Sequence, residues 1–252
     1  MNLSNISFAG KTAIITGGTQ GIGFATAKIL TAMGGRAIVI GRGVAKGEAA
    51  AAELGNAKFY SIDLGDCDNL VKAFEQIIAD EGKIDVLINN AGIVNTDDFD
   101  KLAKEDWDKI INVDLNSVFL CTQTVFKHMA ENGGGRIVNV ASIAGKVGGG
   151  YLGTAAYATA KAGVISLTKA VAKAGSPKNI YCNSVCPAYT KTPLVADRLV
   201  GAKLDAILAG TPLHRGADPE EVANAILFLA SDAASYIQGE NINCVGGLLM
   251  DG

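Results

Sequence analysis

Short apolar runs alternate with longer amphipathic segments along the whole chain. Most of the runs are continuously apolar, which is typical of strands buried on both faces of a sheet. The predicted strands are Thr12–Thr16, Ala37–Ile40, Lys58–Ile62, Ile84–Ile88, Arg136–Ala141, Ile180–Val185 and Asn241–Val245.

Helical periodicity fills the segments between these strands. Asp218-Pro219-Glu220-Glu221 supplies an N-cap, a proline at the first helical position and an acid at N3 of a helix that runs to Ala230. Gly34-Gly35 ends the first helix. The alternation predicts one α/β domain over residues 1–252, a doubly wound, seven-stranded parallel sheet flanked by helices.

Composition and charge narrow the class of protein. Hydrophobic residues make up 49% of the chain, enough for a large core, and the net charge is −3 without a basic cluster of the nucleic-acid-binding kind. The N-terminus lacks a basic region followed by an apolar run, and no run approaches the roughly 18 apolar residues of a membrane helix. We expect a cytoplasmic protein that binds neither nucleic acid nor membrane.

Cysteine and histidine give no sign of a metal or redox site. The five cysteines are scattered, and we interpret all of them as small buried hydrophobes. The two histidines are distant from each other and have no neighbouring ligand cluster, so no metal site is predicted.

A glycine-rich turn, TGGTQGIG at Thr16–Gly23, follows the first strand and opens the first helix. Gly17, Gly21 and Gly23 let the backbone turn tightly and approach a pyrophosphate, whose charge then lies at the helix N-terminus. The position of this turn predicts a dinucleotide site.

The end of the second strand, Ile40-Gly41-Arg42-Gly43, has no carboxylate. An acid there would bind the ribose 2′-hydroxyl, whereas an arginine accommodates a 2′-phosphate. Arg42 therefore favours NADP(H) over NAD(H), unless it is an ordinary surface charge. Asp63, after the third strand, is a candidate for the adenine amino group or, with Asp66, for the cap of the next helix.

Tyr157 and Lys161 stand at i and i+4 on one helix face in YATAK. A phenol with a pKa near 10 is a poor base at neutral pH, and a neighbouring ammonium lowers that pKa. Tyr157 could then exchange a proton with an alcohol or ketone while a hydride moves to or from nicotinamide. Ser142 ends the fifth strand, where its hydroxyl could bind the same substrate oxygen.

These motifs occur in the order found in short-chain dehydrogenases/reductases, and the chain resembles the compact form of that family over essentially its whole length. The matching elements are TGGTQGIG, Asp63-Leu64, NNAG at Asn89–Gly92, Ser142, YATAK, and Pro187 through Thr192. The resemblance implies a Rossmann-type fold with Tyr157 as acid/base. Lys161 would lower the pKa of Tyr157 and bind the nicotinamide ribose, and Ser142 would position the substrate oxygen.

The resemblance also implies a set of cofactor contacts. Asn90, Ala91, Gly92 and Val113 would follow the adenosine side, and Thr190 and Thr192 would meet the carboxamide and phosphates. The full predicted set is Gly17, Thr19, Gln20, Gly21, Ile22, Gly23, Arg42, Asp63, Leu64, Asn90, Ala91, Gly92, Val113, Tyr157, Lys161, Pro187, Ala188, Thr190 and Thr192. Pro187-Ala188 replaces the Pro-Gly usual in the family.

Asp114 is a second departure, because the family usually has a catalytic asparagine at this position. The spacing of Trp107, Ile111, Asp114 and Val118 predicts an inward-facing Asp114, and Asn116 lies about 200° around the helix. The resemblance implies a proton relay from Lys161 through a water held by the backbone carbonyl of this residue. A purely structural hydrogen bond is the other interpretation, and the sequence leaves both open.

Substrate contacts are predicted at Ser142, Tyr151, Tyr189 and Leu194, with a lid over residues 190–211. Lys146 and Lys191 are the candidates for binding an anionic group. We expect a small or medium secondary alcohol or its ketone as substrate.

Three further expectations accompany this interpretation. A 3-oxoacyl-carrier-protein reductase is the alternative, since Gly216–Gly247 resembles one, and Arg136 and Lys178 could contact an acidic carrier. A cofactor-binding regulatory or scaffold protein is the non-enzymatic alternative. The resemblance implies a homotetramer, with the helices over Lys104–Glu131 and Thr154–Ala174 supplying part of the interface.

Overall fold

The computed structural model describes residues 6–150 and 153–251, and its strands form one sheet in the order β3-β2-β1-β4-β5-β6-β7. All neighbouring strands pair in parallel. The strands are β1 (Thr12–Thr16), β2 (Arg36–Gly41), β3 (Ala57–Ser61), β4 (Val86–Asn89), β5 (Gly135–Val140), β6 (Ile180–Pro187) and β7 (Asn241–Cys244). The predicted seven-stranded parallel sheet is confirmed, with bounds that differ by two residues at most.

Helices connect successive strands. They are α1 (Gly21–Ala32), α2 (Val44–Leu54), α3 (Cys67–Glu81), α4 (Lys104–Ile111), α5 (Ser117–Glu131), α6 (Ala144–Val147), α7 (Ala155–Gly175), α8 (Ala202–Gly210) and α9 (Pro219–Ala230). The predicted capping box of α9 is present, and the Asp218 N–H donates to Glu221 Oε2 at 2.9 Å. Instead of the uninterrupted helix predicted after NNAG, one π-helical turn, Asn112–Asn116, joins α4 to α5.

Apolar side chains fill both faces of the sheet, which explains why the central strands are continuously apolar. Ile15 packs with Leu30 of α1 and Ile226 of α9 on one face. Its neighbour Ile14 packs with Phe74 of α3 and Val125 of α5 on the other face. Successive residues of one strand therefore stabilise opposite layers of helices.

The sheet reverses its direction of growth between β1 and β4. The chain adds β2 and β3 on one side of β1, then returns to add β4 to β7 on the other side. Crossovers on either side of this point leave a crevice at the carboxyl ends of the two strands, where ligands bind in open α/β sheets. The glycine-rich turn follows β1 directly, and NNAG begins at the end of β4.

Within residues 6–150 and 153–251, no helix is both long enough and apolar enough to cross a membrane. The cysteine prediction is correct for Cys121, Cys182 and Cys186, which are buried. Cys67 and Cys244 are only half-buried, because one lies in the first turn of α3 and the other in the edge strand β7.

Candidate active site

A cavity of about 900 Å³ opens at the carboxyl ends of β1 and β4 and continues beneath residues 192–199 and α8. Among the described residues, the predicted contacts that line it are Gly17, Thr19, Gln20, Gly21, Ile22, Arg42, Asp63, Leu64, Asn90, Ala91, Gly92, Val113, Ser142, Tyr157, Lys161, Pro187, Ala188, Tyr189, Thr190, Thr192 and Leu194. Gly23 and Asp114 lie behind this wall, and Tyr151 lies outside the described residues.

Close approach of two backbones explains the first glycine of the turn. Gly17 has a φ of 65°, and a Cβ there would lie 2.9 Å from Asn90 Nδ2 and 3.0 Å from Ala91 Cα. Gly23 is needed for packing instead of ligand contact, since a Cβ added at this position would lie 2.4 Å from the Gly17 carbonyl oxygen. The Gln20 side chain does not cap α1, so amide donors of the first turn stay available for an anion.

Thr16, which sequence reasoning did not single out, fixes the turn to the NNAG segment. Its Oγ1 accepts hydrogen bonds from the N–H groups of Asn90, at 2.9 Å, and Ala91, at 3.1 Å. Asn90 Nδ2 donates to the Thr16 carbonyl at 2.9 Å. A polar residue closing an otherwise apolar strand was the available signal in the sequence.

Two cations and no carboxylate lie between the end of β2 and the first turn of α2. Arg42 is exposed and lines the cavity, and its carbonyl accepts a hydrogen bond from Ser61 Oγ at 3.2 Å. Lys46, which the sequence pattern did not single out, donates from Nζ to Gln20 Oε1. The neighbourhood of the glycine-rich turn therefore carries positive charge.

Asp63 and Asp66 have separate tasks. Asp66 is the N-cap of α3 and accepts from the Asn69 N–H at 3.3 Å. Asp63 lines the cavity, and its Oδ1 accepts from the Gly65 N–H at 2.9 Å. The helix cap therefore belongs to Asp66, which leaves Asp63 as the candidate for contact with an adenine.

Tyr157, Lys161 and Ser142 converge at the inner end of the cavity. Tyr157 and Lys161 lie one turn apart on α7, with Lys161 Nζ 5.6 Å from the Tyr157 ring centroid and hydrogen-bonded to the Val140 carbonyl at 3.1 Å. Ser142 follows β5 and faces the Tyr157 hydroxyl, and its Oγ accepts from the Ala144 N–H at 3.1 Å.

The net pKa shift of Tyr157 is opposite to the one predicted from its lysine neighbour. Burial contributes most and raises the pKa of Tyr157, and the Asp114 carboxylate raises it further. The Lys161 ammonium lowers that pKa as expected, but its contribution does not outweigh burial. The direction of this shift favours the neutral phenol over the phenolate.

Asp114 is fully buried at the centre of the π-helical turn, so its predicted inward orientation is confirmed. Its Oδ1 accepts from the Ile93 N–H at 2.9 Å, and its Oδ2 lies 3.3 Å from Lys161 Nζ. Burial raises the pKa of Asp114, while the Lys161 ammonium opposes that rise. Asn116, by contrast, is exposed and bonds to Asn112.

The predicted anion-binding lysines are already paired. Lys146 Nζ lies 3.0 Å from Asp251, and Lys191 Nζ lies 2.9 Å from Asp218. These neighbours leave neither lysine as an isolated cation for a negatively charged substrate. Arg198, by contrast, lines the cavity, where its Nη1 donates to the Val94 carbonyl at 3.2 Å.

Arg136 and Lys178 lie at the end of the sheet opposite the cavity. Arg136 is the second residue of β5, where its guanidinium stacks 4.0 Å from the Tyr181 ring centroid and lies 3.2 Å from Asp232. Lys178 precedes β6. Because β5 and β6 run in parallel, Arg136 and Lys178 both lie at the amino ends of these strands, away from Tyr157.

The sequence of this chain is similar to proteins of known activity over nearly its whole length. The family model described as Enoyl-(Acyl carrier protein) reductase matches residues 17–249. The 3-oxoacyl-[acyl-carrier-protein] reductase of Aquifex aeolicus (strain VF5) is 37% identical over 248 residues, which cover 96% of this chain and 99% of the relative. Acetoacetyl-CoA reductase of Acinetobacter sp. (strain RA3849) is 40% identical over 195 residues, 77% of each chain.

A solved structure agrees with this similarity. The crystal structure of a short-chain type dehydrogenase/reductase from Mycobacterium marinum is 32% identical, with a TM-score of 0.91. The match covers 97% of this chain and 98% of that one. Motif order, fold and comparisons agree, and the chain belongs to the short-chain dehydrogenase/reductase family of NAD(P)-dependent oxidoreductases.

Proposed function

We propose that this protein is an NADPH-dependent reductase of 3-oxoacyl thioesters, with an acyl carrier protein as the carrier of the acyl group. The convergence of Ser142, Tyr157 and Lys161 in one cavity with the glycine-rich turn carries the proposal. The names of both curated relatives support the substrate class, since each specifies a 3-oxoacyl thioester. The sequence favoured a small or medium secondary alcohol or its ketone as substrate, with a 3-oxoacyl-carrier-protein reductase as the alternative. The relatives favour that alternative.

The chemistry follows from the three side chains. When bound, nicotinamide supplies a hydride to the C3 carbonyl carbon. Ser142 hydrogen-bonds the carbonyl oxygen, and the Tyr157 phenol gives its proton to that oxygen as negative charge develops there. The Lys161 ammonium stabilises the phenolate that Tyr157 becomes. The raised pKa of Tyr157 suits this role, because the group must begin the reaction protonated.

The residues that line the cavity fit NADP(H), a dinucleotide that carries a 2′-phosphate. Gly17 leaves room where a Cβ would meet Asn90, and the first turn of α1 offers amide donors for the pyrophosphate. Arg42, assisted by Lys46, would hold a 2′-phosphate, and Asp63 would accept from the adenine amino group.

A substrate panel tests the proposal. The purified protein is assayed with NADPH and with NADH on a 3-oxoacyl carrier-protein thioester, acetoacetyl-CoA and ethyl acetoacetate. We expect the highest kcat/KM with NADPH and the carrier thioester. A preference for acetoacetyl-CoA would make it a coenzyme A thioester reductase. Turnover of the free ester alone would contradict the proposal and restore the small-ketone interpretation.

The non-enzymatic alternative is the weaker one, because a scaffold has no need of Ser142, Tyr157 and Lys161 together.

We further propose a homotetramer that uses the α4–α5 and α7 faces, and residues 190–211 as the substrate lid. Phe119 of α5 is 44% exposed on this monomer, as an interface residue would be. Light scattering after size-exclusion chromatography measures the assembly state, and a monomer at assay concentration would exclude the tetramer. A cytoplasmic location stays a prediction.

A further inference from the structure

The buried pair of Asp114 and Lys161 is the most unusual electrostatic feature of the site. Asp114 Oδ2 and Lys161 Nζ are 3.3 Å apart, with side-chain exposures of 0% and 3%. An asparagine, the residue usual in the family, would leave the ammonium without this counter-charge. The substitution therefore changes the charge next to the reacting groups while it keeps the shape of the side chain.

Several contacts hold the carboxylate in place. The Ile93 N–H fixes Oδ1 at 2.9 Å, which directs Oδ2 towards Lys161. Gly92 makes the approach possible, since a Cβ at that position would lie 2.7 Å from Oδ2 and 3.3 Å from Lys161 Nζ. The amide, the glycine and the π-helical turn together give this pair one defined geometry.

The pair acts on Tyr157 through Lys161. The groups that face Tyr157 are Lys161 on its own helix, Asp114 on the π-helical turn, Ser142 after β5 and the Cys186 thiol of β6. The carboxylate offsets the field with which the ammonium would favour a phenolate. The side chains of Asp114 and Lys161 are buried, so water screens the interaction between them only weakly.

We propose that Asp114 is a positioning residue that, through Lys161, keeps Tyr157 protonated and so adapts the site to carbonyl reduction. The reaction equilibrium is unaffected, because a catalyst accelerates both directions equally at a given pH. What changes is the pH range of each direction: reduction needs the phenol and oxidation needs the phenolate. This inference rests on the proposed function for its biological meaning, but not for its measurement.

Ultraviolet titration of Tyr157 tests the inference without substrate or cofactor. Phenolate absorbance of the wild type and of Asp114→Asn is measured against pH, each with a Tyr157→Phe variant of the same background as the blank. Asparagine keeps an acceptor for the Ile93 N–H and removes the charge. We expect the Tyr157 titration to move to lower pH in Asp114→Asn, with about a tenfold larger phenolate fraction at neutral pH for a midpoint that falls by about one pH unit.

The rate profiles give a second readout. In Asp114→Asn the falling limb of reduction and the rising limb of alcohol oxidation should both move to lower pH. Asp108→Asn is the matched control, since it makes the same change at a half-exposed carboxylate that pairs with Lys104, and it should move neither limb. If Asp114→Asn fails to fold, Asp114→Ser removes the same charge with a smaller side chain.

Two outcomes would overturn the inference. One is a lower kcat in Asp114→Asn with the Tyr157 titration and both limbs unmoved, which a purely structural role would produce. The other is a shift to higher pH. Failure of the proposed function is distinguishable, because a wild type that reduces no 3-oxoacyl thioester would still give the titration.

Discussion

The Thr16 hydroxyl accepts a hydrogen bond from the backbone N–H of Asn90 at 2.9 Å and so joins the end of β1 to the end of β4. The same oxygen accepts from the Ala91 N–H at 3.1 Å. One side chain thus fixes two backbone segments that line the cavity at the carboxyl ends of β1 and β4.

Replacing Thr16 with valine keeps the shape of the side chain but removes this acceptor. Leaving buried amide groups unsatisfied costs about 1–3 kcal/mol, and we expect NADPH to bind roughly tenfold more weakly. Fluorescence titration of NADPH measures the effect. Thr31→Val, at a hydroxyl that bonds only locally to the Lys28 carbonyl, is the matched control. Equal affinities of the two variants would refute a positioning role for Thr16.

Arg42 and Lys46 should determine the choice of cofactor. Arg42→Ala and Lys46→Ala each remove a cation available to a 2′-phosphate, and a charge-assisted hydrogen bond contributes about 1.5–3 kcal/mol. We expect NADPH affinity to fall about tenfold or more and NADH affinity to change little. Lys28→Ala, which removes a cation on α1 that pairs with Glu53 of α2, serves as the control. Unchanged NADPH affinity in Arg42→Ala would remove the main support for NADP(H).

Tyr157→Phe should abolish turnover and leave cofactor binding nearly unchanged. Loss of a general acid reduces rates by about 10²–10⁴-fold, and kcat measured beside the NADPH dissociation constant separates the two effects. Tyr236→Phe makes the same change at a fully exposed ring. Activity that survives Tyr157→Phe would mean that another group donates the proton.

The raised pKa of Tyr157 also predicts the pH dependence of the two directions. Because the phenol is the active form in reduction, that rate should persist through neutral pH and fall only as pH rises through the raised pKa. Alcohol oxidation needs the phenolate and should increase over the same range. Rate profiles with saturating cofactor measure both limbs, and a reduction rate that declines from neutral pH upward would contradict the raised pKa.

The location of the cations predicts where a carrier protein docks. Arg198 lines the cavity, and with Lys203 it borders a smaller pocket formed with residues 94–97. We expect Arg198→Glu with Lys203→Glu to raise KM several-fold for the carrier thioester, and to leave KM for ethyl acetoacetate unchanged. Lys178→Glu, at the amino end of β6, is the control. A larger effect of Lys178→Glu would move the docking surface to the opposite end of the sheet.

Local sequence patterns determined the fold and most of the candidate site. Continuously apolar runs specify strands buried on both faces, and a glycine-rich turn between a strand and a helix specifies a pyrophosphate cradle. The step from Tyr157 to Lys161 is one helical turn, so their juxtaposition needs no tertiary information. Each of these features depends on residues that are near one another along the chain.

Tertiary structure alone decided the balance of charges. Lys146 and Lys191 look like anion-binding residues until folding brings them to Asp251 and Asp218. Considered alone, Lys161 should lower the pKa of Tyr157. Burial and the Asp114 carboxylate raise that pKa, and their combined effect is larger. The free energy of a charge depends on its depth and on partners from distant segments, and only the packing of those segments determines both.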